Sequence, residues 1–453
     1  MIYLTGRIRL FILVSCSFYA CQQNDLLAPP PKPVLPVCSN NVVQGYTDKT
    51  SYWPGEVASV FLQSSTNIQC GLGFYDPKGK LIFSADVSLY SQTIAQIEPW
   101  LYGYNYAIHS EIHLPQILLS GVYYIEKKIP IVIKSPMPAS VTVVFPSNTI
   151  NAYNSCGGKS LYGFNSTNGV GSSVVSFLRP MFEQSEEERC NECLKWFSSL
   201  PDFSFKYISD IDMDNYASFS GSKVLVIAGH SEYWTRAARN NFDRFVEEGK
   251  HVVLLSGNSM WWQVRYSNDH NQLICYRDFG QDPESDPLLK TVRWVDPVLN
   301  FPITRSIGSD FDHGGYGLKP DNGWNGFKIV NAASPLLEGL SLHRGDIISV
   351  PSDECDGAPI NGFDADGFPL LDNKHNFAKY ELIGFDRGSR GGAETYPTFI
   401  AMRATASSGI IINMGSSDWC SQSGVGSTSG NPLKTITKNA IRKLLDGSNV
   451  FSD

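Results

Sequence analysis

The chain has 453 residues, which is too long for one ordinary hydrophobic core and predicts two domains. Its hydrophobic content of 42% and charged content of 18% are typical of a globular protein and exclude a disordered or coiled-coil chain. The formal net charge of −8, without any Lys/Arg cluster, argues against a nucleic-acid partner.

Residues 1–21 resemble a bacterial lipoprotein signal. "MIYLTGRIR" supplies positive charge, "LFILV" begins an apolar stretch too short to span a bilayer, and a cysteine closes it. Cys21 in "SFYACQQND" and Cys16 in "LVSC" are the candidates for the lipidated residue, and we favour Cys21. This pattern predicts an exported protein, lipid-anchored to a bacterial membrane on the periplasmic side or at the cell surface. An ordinary cleaved signal is the alternative.

Residues 22–39 form a proline-rich segment that contains "LLAPPPKPVLP". Proline-rich segments are stiff and extended, so we expect a tether between the anchor and the folded part of the chain. The folded part is then expected to begin near residue 40.

The cysteines beyond Cys21 form an even set, which predicts some disulfides in an exported protein. They are Cys38, Cys70, Cys156, Cys190, Cys193, Cys275, Cys355 and Cys420. "CNEC" at 190–193 lacks the second CxxC that a four-thiolate zinc site needs. A disulfide partner or a half-buried thiol on a helix is therefore the favoured interpretation.

Residues 40–137 alternate short β-rich runs with turn signals. The turn "DPKGK" between two apolar runs has the chemistry of a hairpin connection. The segment predicts a small antiparallel β-sandwich of immunoglobulin-like type. It contains no pattern that indicates catalysis.

Residues 138–453 alternate buried-strand runs with amphipathic helical stretches, which predicts a mostly parallel, helix-covered sheet. The predicted strands are "SVTVVFP", "FKYISD", "KVLVIAG", "HVVLLSG" and "GIIINMGS". Helices are predicted over 185–199, 235–249 and 433–446, the last ending at Gly447. The glycine-rich stretch from about 260 to about 405 is typical of loops that shape a site.

Polar and aromatic residues follow two of the predicted strands, at the edge where ligands of open α/β sheets bind. "GHSEYW" follows "KVLVIA", and an extended backbone would project His230 and Glu232 to the same side. "TINAYNSCGGKSLYGF" follows the first strand, and its paired glycines permit a tight reversal that would bring Tyr153 and Tyr162 together.

Two phenols, a carboxylate and an imidazole suit a hard metal ion. Ionising a tyrosine at neutral pH costs about 4 kcal/mol, so two phenolate ligands indicate a trivalent ion rather than zinc. The alternative, which spacing alone favours, makes the tyrosines rim residues and His230 a structural histidine. Glu232 would then be the ion-pair partner of Arg236 or Arg239.

Four stretches resemble the large-subunit family of N,N-dimethylformamidase. They are "NTINAYNSCGGKSLY", "GHSEYWTRAARNNFDRFVEEGKHVVLLSGNSMWW", "DFDHGGYG" and "DECDGAP", and they cover most of the chain from about residue 140 onward. The resemblance implies a fold similar to class I glutamine amidotransferases. It also implies a mononuclear iron (Fe3+) held by Tyr153, Tyr162 and Glu232, with His230 beside the metal.

The activity that the resemblance implies is metal-assisted hydrolysis of a C–N bond in a small-molecule amide, not in a peptide. His230 would exchange a proton with water or the leaving amine, and Asn258 in "SGNS" would help to bind the oxyanion. An ordinary turn residue is the alternative for Asn258. The family enzyme has a small partner subunit and is not an exported lipoprotein, so dimethylformamide itself is not the predicted substrate.

Two other hypotheses remain open. The amidotransferase-like fold often carries a nucleophilic cysteine at a strand-to-helix elbow, but "LLSGNSMWW" has Ser259 there, and Cys156 is expected to be inert or disulfide-bonded. A non-catalytic, lipid-anchored surface module would instead bind a glycan or a peptide through the aromatic loops "NSMWWQVRY" and "NGWNG".

Several acidic residues are second-rank candidates. Asp210 and Asp212 follow a predicted strand and are expected to cap a helix. The motifs "DECDG" and "FDHGGYG" are expected to line the pocket, with a solvated turn as the alternative. The residues concerned are Asp312, His313, Asp353, Glu354 and Asp356.

Overall fold

The computed structural model describes residues 35–38, 41–94, 96–181, 185–317, 325–350, 352–427 and 432–452. The predicted signal segment, with Cys16 and Cys21, lies outside the described residues, as does most of the predicted tether. Within the described ranges, no helix combines the length and the apolar composition that a membrane crossing requires.

Two β-sheets form the first part of the described chain. Its elements are β1 (Val42–Thr47), β2 (Ser51–Tyr52), β3 (Val57–Ser64), β4 (Ile68–Tyr75), β5 (Leu81–Leu89), α1 (Pro99–Tyr102), β6 (Ser110–His113), β7 (Gly121–Ile125) and β8 (Ile129–Ile133). One sheet has the order β1–β3–β6 and the other β2–β8–β7–β4–β5. All pairs are antiparallel except β2 with β8, and the predicted "DPKGK" hairpin joins β4 to β5.

The two sheets enclose a common apolar core, to which β3 contributes every second residue. In β3, Ala58, Val60 and Leu62 are buried while their neighbours are more exposed. These side chains pack with residues of β4, β5, β7 and β8 from the opposite sheet. The arrangement is a two-layer β-structure, and its immunoglobulin-like type stays a prediction.

One disulfide, Cys38–Cys70, joins the segment before β1 to β4. Six other described cysteines are buried and free: Cys156, Cys190, Cys193, Cys275, Cys355 and Cys420. The "CNEC" pair is therefore two buried thiols on a helix rather than a disulfide partner.

The second part of the chain contains the remaining strands and helices. Up to residue 274 they are β9 (Val141–Phe145), α2 (Ser147–Tyr153), β10 (Val174–Ser176), α3 (Ser185–Phe197), β11 (Phe205–Ser209), β12 (Val224–Ala228), β13 (Tyr233–Thr235), α4 (Arg236–Glu247), β14 (His251–Leu255), β15 (Trp262–Tyr266) and β16 (Gln272–Ile274). They continue with α5 (Ile303–Ile307), α6 (Phe311–Gly314), β17 (Gly315–Tyr316), β18 (Phe327–Ile329), β19 (Ile347–Ile348), β20 (Glu354–Gly357), β21 (Ile360–Phe363), β22 (Pro369–Leu371), β23 (Lys379–Phe385), β24 (Gly388–Arg390), β25 (Ala393–Thr395), β26 (Thr398–Arg403), β27 (Ile410–Asn413) and α7 (Pro432–Asp446).

A nine-stranded sheet organises this part, in the order β11–β9–β12–β14–β27–β26–β23–β18–β19. The first five strands are parallel, and they are the five strands that the apolar runs predict. The last four continue the sheet with antiparallel pairing. The sheet is thus mixed rather than mostly parallel, and β27 alone joins its two halves.

Helices cover both faces of the parallel half. Val224 and Val226 of β12 share a core with residues of α3 and α7, whereas Leu225 and Ile227 share another core with residues of α4. The three long helices lie within two residues of their predicted bounds, and Gly447 after α7 has a φ of +76°, as a glycine C-cap does. The class I glutamine amidotransferase-like arrangement stays a prediction.

The two parts of the chain share apolar packing. Val122, Tyr124 and Val132 of β7 and β8 belong to the same core cluster as Val141 and Val143 of β9. Residues Pro36–Asp453 accordingly form one compact unit. The division into domains at 40–137 and 138–453 stays a prediction.

Candidate metal centre

Loops that follow β9, β12 and β14 meet the start of β20 at a cavity of about 790 Å³. These three strands are parallel neighbours in the sheet, so their carboxyl ends lie at one edge. Each predicted site residue except His230 lines the cavity, and His230 lies directly beneath it, in contact with two of the lining carboxylates.

The structure brings the three predicted metal ligands together. The Tyr153 hydroxyl donates a hydrogen bond to Oε2 of Glu232 at 3.0 Å, and the Tyr162 hydroxyl lies 3.0 Å and 3.2 Å from the two Glu232 oxygens. The two phenol rings pack with their centroids 4.5 Å apart. The Tyr162 hydroxyl also hydrogen-bonds to the hydroxyl of Tyr233.

The loop that carries the two phenols is held by glycines and by one buried arginine. Gly157 and Gly158 have φ angles of +88° and +110°, a region that other residues rarely adopt. A side chain at Gly157 would lie 2.9 Å from the backbone nitrogen of Trp100. The buried Arg179 guanidinium donates hydrogen bonds to the carbonyls of Asn151, Cys156, Lys159 and Ser176.

His230 lies between carboxylates. Its Nδ1 is 2.7 Å from Oε2 of Glu186, and its Nε2 is 3.1 Å from Glu354 and 3.6 Å from Glu232. The geometry at Nε2 is not that of a hydrogen bond, so this buried nitrogen has no hydrogen-bond partner in the described chain. Burial lowers the pKa of His230, but Glu186 and Glu354 outweigh burial and raise it well above the usual value.

Glu354 enters the site from β20, as a second-rank candidate from the "DECDG" motif. The Asn258 side-chain nitrogen donates a hydrogen bond to Oε2 of Glu354 at 2.7 Å. Burial raises the pKa of Glu354, but His230 and this hydrogen bond outweigh burial and lower it below its usual value. Glu354 therefore stays ionised, and Asn258 contacts a carboxylate in this structure.

The other second-rank residues lie in different surroundings. Asp353 lines the cavity and pairs with Arg189 at 3.1 Å. Asp356 is buried beneath the Ser259 backbone nitrogen and does not line the cavity. The remaining two do not themselves line the cavity: Asp312 pairs with Arg390, and His313 pairs with Asp310. Asp210 accepts a hydrogen bond from the first turn of α2, and Asp212 caps a short 3-10 helix.

The electrostatics favour protonated phenols as long as no cation is bound. The pKa of Tyr153 and that of Tyr162 are both raised well above the usual value for a phenol. Burial is the larger cause, and the charge of Glu232 is the next. Burial also raises the pKa of Glu232 to about 7. A positive ion among these oxygens would reverse each shift, because it stabilises the ionised form of every group around it.

Two overlapping donor sets fit a cation, and both contain Glu232. One set is the predicted pair of phenols with Glu232. In the other, ligand atoms of His230, Glu232 and Glu354 all lie within 4.8 Å of one another. The unpartnered Nε2 of His230 and the oxygen-rich surroundings are chemistry that suits a transition metal.

The structure does not support the alternative partners for Glu232. Arg236 donates to the carbonyls of Leu288 and Leu299, and Arg239 donates to Ser306 and stacks on Trp294. The thiol hypothesis also lacks a nucleophile here, because none of the six described free cysteines lines the cavity.

Sequence reasoning missed three residues of the site: Glu186, Arg189 and Tyr233. "SEEER" has the acidic first turn of an ordinary helix, so the sequence gives no sign that Glu186 belongs to the site. Its place there depends on how α3 packs against β12. Arg189 pairs with Glu186 at 3.3 Å. Tyr233 directly follows Glu232 in "GHSEYW", and this adjacency in the sequence was the only available signal.

The fold and the site together define a mixed α/β protein with a buried phenol, carboxylate and imidazole cluster at the carboxyl edge of its parallel strands. The sequence profile of a family described as N,N-dimethylformamidase beta subunit-like, C-terminal, matches residues 71–424. The chain belongs to this family. The match begins within β4, earlier than the motifs that carry the resemblance.

A search of solved structures finds a ThuA-like protein from Bacteroides uniformis ATCC 8492. It is 12% identical in sequence, with 68% of this chain and 93% of that chain covered and a TM-score of 0.32. No curated protein matches the chain.

Proposed function

We propose that this protein is a metal-dependent amidohydrolase that cleaves the C–N bond of a small-molecule amide with a mononuclear iron. The observation that carries the proposal is the meeting of Tyr153, Tyr162 and Glu232: each phenol oxygen lies 3.0–3.2 Å from an oxygen of the buried Glu232 carboxylate. Membership of the N,N-dimethylformamidase beta subunit-like family supports the hydrolase class.

Ferric iron is the ion that fits this donor set best. Burial and the Glu232 charge raise the pKa of both phenols, so only a strongly charged ion would displace their protons. Tyr153, Tyr162 and Glu232 would hold the ion. When bound, it would supply Lewis-acid chemistry, polarising a carbonyl and lowering the pKa of water.

The residues around the ion would handle the protons. Glu186 orients the imidazole of His230 through Nδ1, which leaves Nε2 to hold the proton that the departing amine needs. The ionised Glu354, 3.1 Å from Nε2, would accept the proton that the attacking water loses. Asn258 donates a hydrogen bond to Glu354, which supports a positioning role for Asn258 rather than the predicted contact with the oxyanion.

Elemental analysis with a visible spectrum tests the proposal. We expect bound iron and a ferric phenolate charge-transfer band, which zinc cannot give. The band should weaken and shift in the Tyr153→Phe and Tyr162→Phe variants, which each keep one phenol, and should be lost when both substitutions are combined. Tyr102→Phe is the matched control, because Tyr102 is exposed and does not line the cavity. Protein that neither contains a transition metal nor takes up added iron would instead support the non-catalytic glycan- or peptide-binding module.

We further propose that the protein is exported and lipid-anchored at Cys21, or at Cys16. The charge and apolar pattern of the first 21 residues supports this, and so does the Cys38–Cys70 disulfide, since such bonds persist in oxidising compartments. Radiolabelled palmitate should label the wild-type chain in bacterial cells, and Cys21→Ala should abolish labelling. Labelling that only Cys16→Ala abolishes would move the anchor to Cys16.

A further inference from the structure

We infer that the substrate carries an anionic group, such as a carboxylate, separated from the amide by an apolar spacer, and that Arg390 binds this group. The inference rests on the proposed function, because it takes the amide to lie beside Glu232 and Glu354. It concerns another part of the lining of the same cavity.

The cavity is larger than a simple formamide requires. Its volume of about 790 Å³ lies in the range of pockets that enclose drug-sized ligands, about 300–1,000 Å³. Trp261, Trp262 and Phe311 line it, and Trp261 packs edge-on against Phe311 with the ring centroids 5.5 Å apart. These rings suit an apolar or aromatic portion of a ligand.

Three arginines line the cavity, Arg189, Arg293 and Arg390, and they differ in their ion-pair partners. Arg189 forms ion pairs with Glu186, Asp353 and Asp418, so its charge is neutralised within the protein. Arg390 pairs with one carboxylate, Asp312, through Nε alone at 3.1 Å. Its two terminal nitrogens have no protein partner in the described chain.

The Arg390 guanidinium is also held in place. Its central carbon lies 4.4 Å from the ring centroid of Phe311 and 5.1 Å from that of Trp261. Arg293 lies near the same tryptophan at 5.6 Å and pairs with Asp296. A stacked guanidinium whose two terminal NH2 groups are both free of protein partners presents the planar fork that binds a carboxylate bidentately.

The charges of the cavity are separated in a way that would orient such a substrate. Glu232 and Glu354 belong to the phenol, carboxylate and imidazole cluster. They would repel an anionic group unless a cation were bound. Both charged groups act on Tyr316. Burial and the charge of Glu354 raise the pKa of Tyr316, and the charge of Arg390 lowers it. Arg390 on β24 and Glu354 on β20 belong to one four-stranded sheet with β17 between them, so their backbones are about 10 Å apart, at roughly 4.8 Å per strand.

Isothermal titration calorimetry with two matched amides tests the inference. 4-Formamidobenzoate and 4-methylformanilide differ only in a carboxylate or a methyl group opposite the amide. We expect the purified whole chain to bind the carboxylate about tenfold more tightly, because charge-assisted hydrogen bonds are the stronger kind. Arg390→Gln should remove this preference, and Arg390→Lys should keep part of it, since it retains the charge without the fork.

Arg387→Gln is the control, because Arg387 belongs to the same hairpin, is exposed and pairs with Glu394 outside the cavity. It should keep the wild-type preference. Equal affinities in the wild type, no detectable binding of either amide, or an unchanged preference in Arg390→Gln would overturn the inference. If Arg390→Gln does not fold, Arg390→Lys takes its place and should weaken the preference.

The same two compounds separate this inference from the proposed function. A preference for the carboxylate without hydrolysis of either amide would contradict the hydrolase while leaving the anion site in place. Hydrolysis of both amides without a preference in binding would contradict the anion site alone.

Discussion

His230 is held by negative charge on both sides of its ring. Glu186 lies 2.7 Å from Nδ1, and Glu354 lies 3.1 Å from Nε2. Two carboxylates favour the imidazole form that carries a proton on each nitrogen. Arg189 in turn pairs with Glu186, so the orientation of the ring depends on residues of α3 as well as on the loop after β12.

Glu186→Gln should weaken this arrangement without removing a metal ligand. Glutamine can still hydrogen-bond to Nδ1 but lacks the charge. On the proposed function, we therefore expect kcat to fall about 10- to 100-fold with KM and metal content unchanged. Steady-state hydrolysis of 4-formamidobenzoate and metal analysis measure these quantities. Glu188→Gln, an exposed residue of the same helix, is the control. A loss of iron in Glu186→Gln would show a structural role instead.

Much of the site was accessible from the sequence, and the reason differs between residues. Tyr153, Tyr162 and Glu232 follow strands whose ends must coincide, and paired glycines mark the reversal between the phenols. Glu354 stood in a conspicuous acidic motif within an irregular region. Glu186 was not predictable, since the packing of a helix against the sheet selects it from three successive glutamates.

At the scale of elements, Gly257 is the point where three chain segments touch. It follows β14, and a side chain at this position would meet the carbonyl oxygen of Glu354 and lie 2.5 Å from the backbone nitrogen of Ser417. Backbone atoms cannot move aside as the end of a flexible side chain does. The glycine therefore sets how closely the loop after β14 approaches β20.

Gly257→Ala should displace Glu354 and destabilise the protein, by about 1–3 kcal/mol as overpacking does in other cores. Chemical denaturation measures the free energy of unfolding, and calorimetry measures binding of 4-formamidobenzoate. Gly221→Ala is the matched control, because nothing lies within 4 Å of a side chain there. Equal stability of the two variants would contradict this account.

Asp210 shows how a neighbouring strand supports the helix that ends in Tyr153. The first turn of α2 has no side-chain cap of its own, and the Asn148 backbone nitrogen instead donates to Oδ2 of Asp210 at 2.8 Å. Burial raises the pKa of Asp210 to about 8, although this hydrogen bond opposes the shift. The folded protein therefore binds the Asp210 proton more tightly than the unfolded chain does.

The pH dependence follows from that difference. The stability associated with protonated Asp210 is fully present below its unfolded pKa of about 4 and is lost as the pH rises through about 8. The melting temperature of Asp210→Asn, relative to wild type, should therefore rise between about pH 5 and about pH 9. Asp202→Asn, at an exposed site, should show no such trend. A difference independent of pH would contradict the assignment.

The elements of the parallel half were predictable because their strands are continuous apolar runs, buried at every position in β9, β12 and β27. The strands of the antiparallel half were not predictable from the sequence. Its strands are short or only partly buried, as in β18 and β23, and glycine-rich loops separate them. Tertiary pairing, rather than local sequence, defines these strands.

At the scale of the whole molecule, the sandwich and the α/β part are joined by more than a linker. Tyr124 and Val132 share a core with β9, the Lys134 amine pairs with Asp212 at 2.9 Å, and the Ser120 hydroxyl accepts a hydrogen bond from the Tyr207 backbone. Separation of the two parts would expose this apolar surface to water. Their stabilities are therefore coupled.

A single cooperative unfolding transition should result. We expect differential scanning calorimetry to give a calorimetric enthalpy equal to the van't Hoff enthalpy, as in two-state unfolding. A fragment of residues 138–453 should aggregate, because it exposes the surface that β7 and β8 cover. Two resolved transitions, or a soluble and folded fragment, would show that the predicted domains are independent.

The position of β27 has a consequence for how the chain folds during synthesis. Residues 410–413 form the last strand of the described chain in sequence order, yet they lie in the middle of the nine-stranded sheet. At translation rates of about 5–20 residues per second, the parallel half waits about 8–30 s between the synthesis of β14 and that of β27. Until then the parallel half presents an open strand edge, so nascent chains are expected to need chaperones that keep this edge from pairing with other chains.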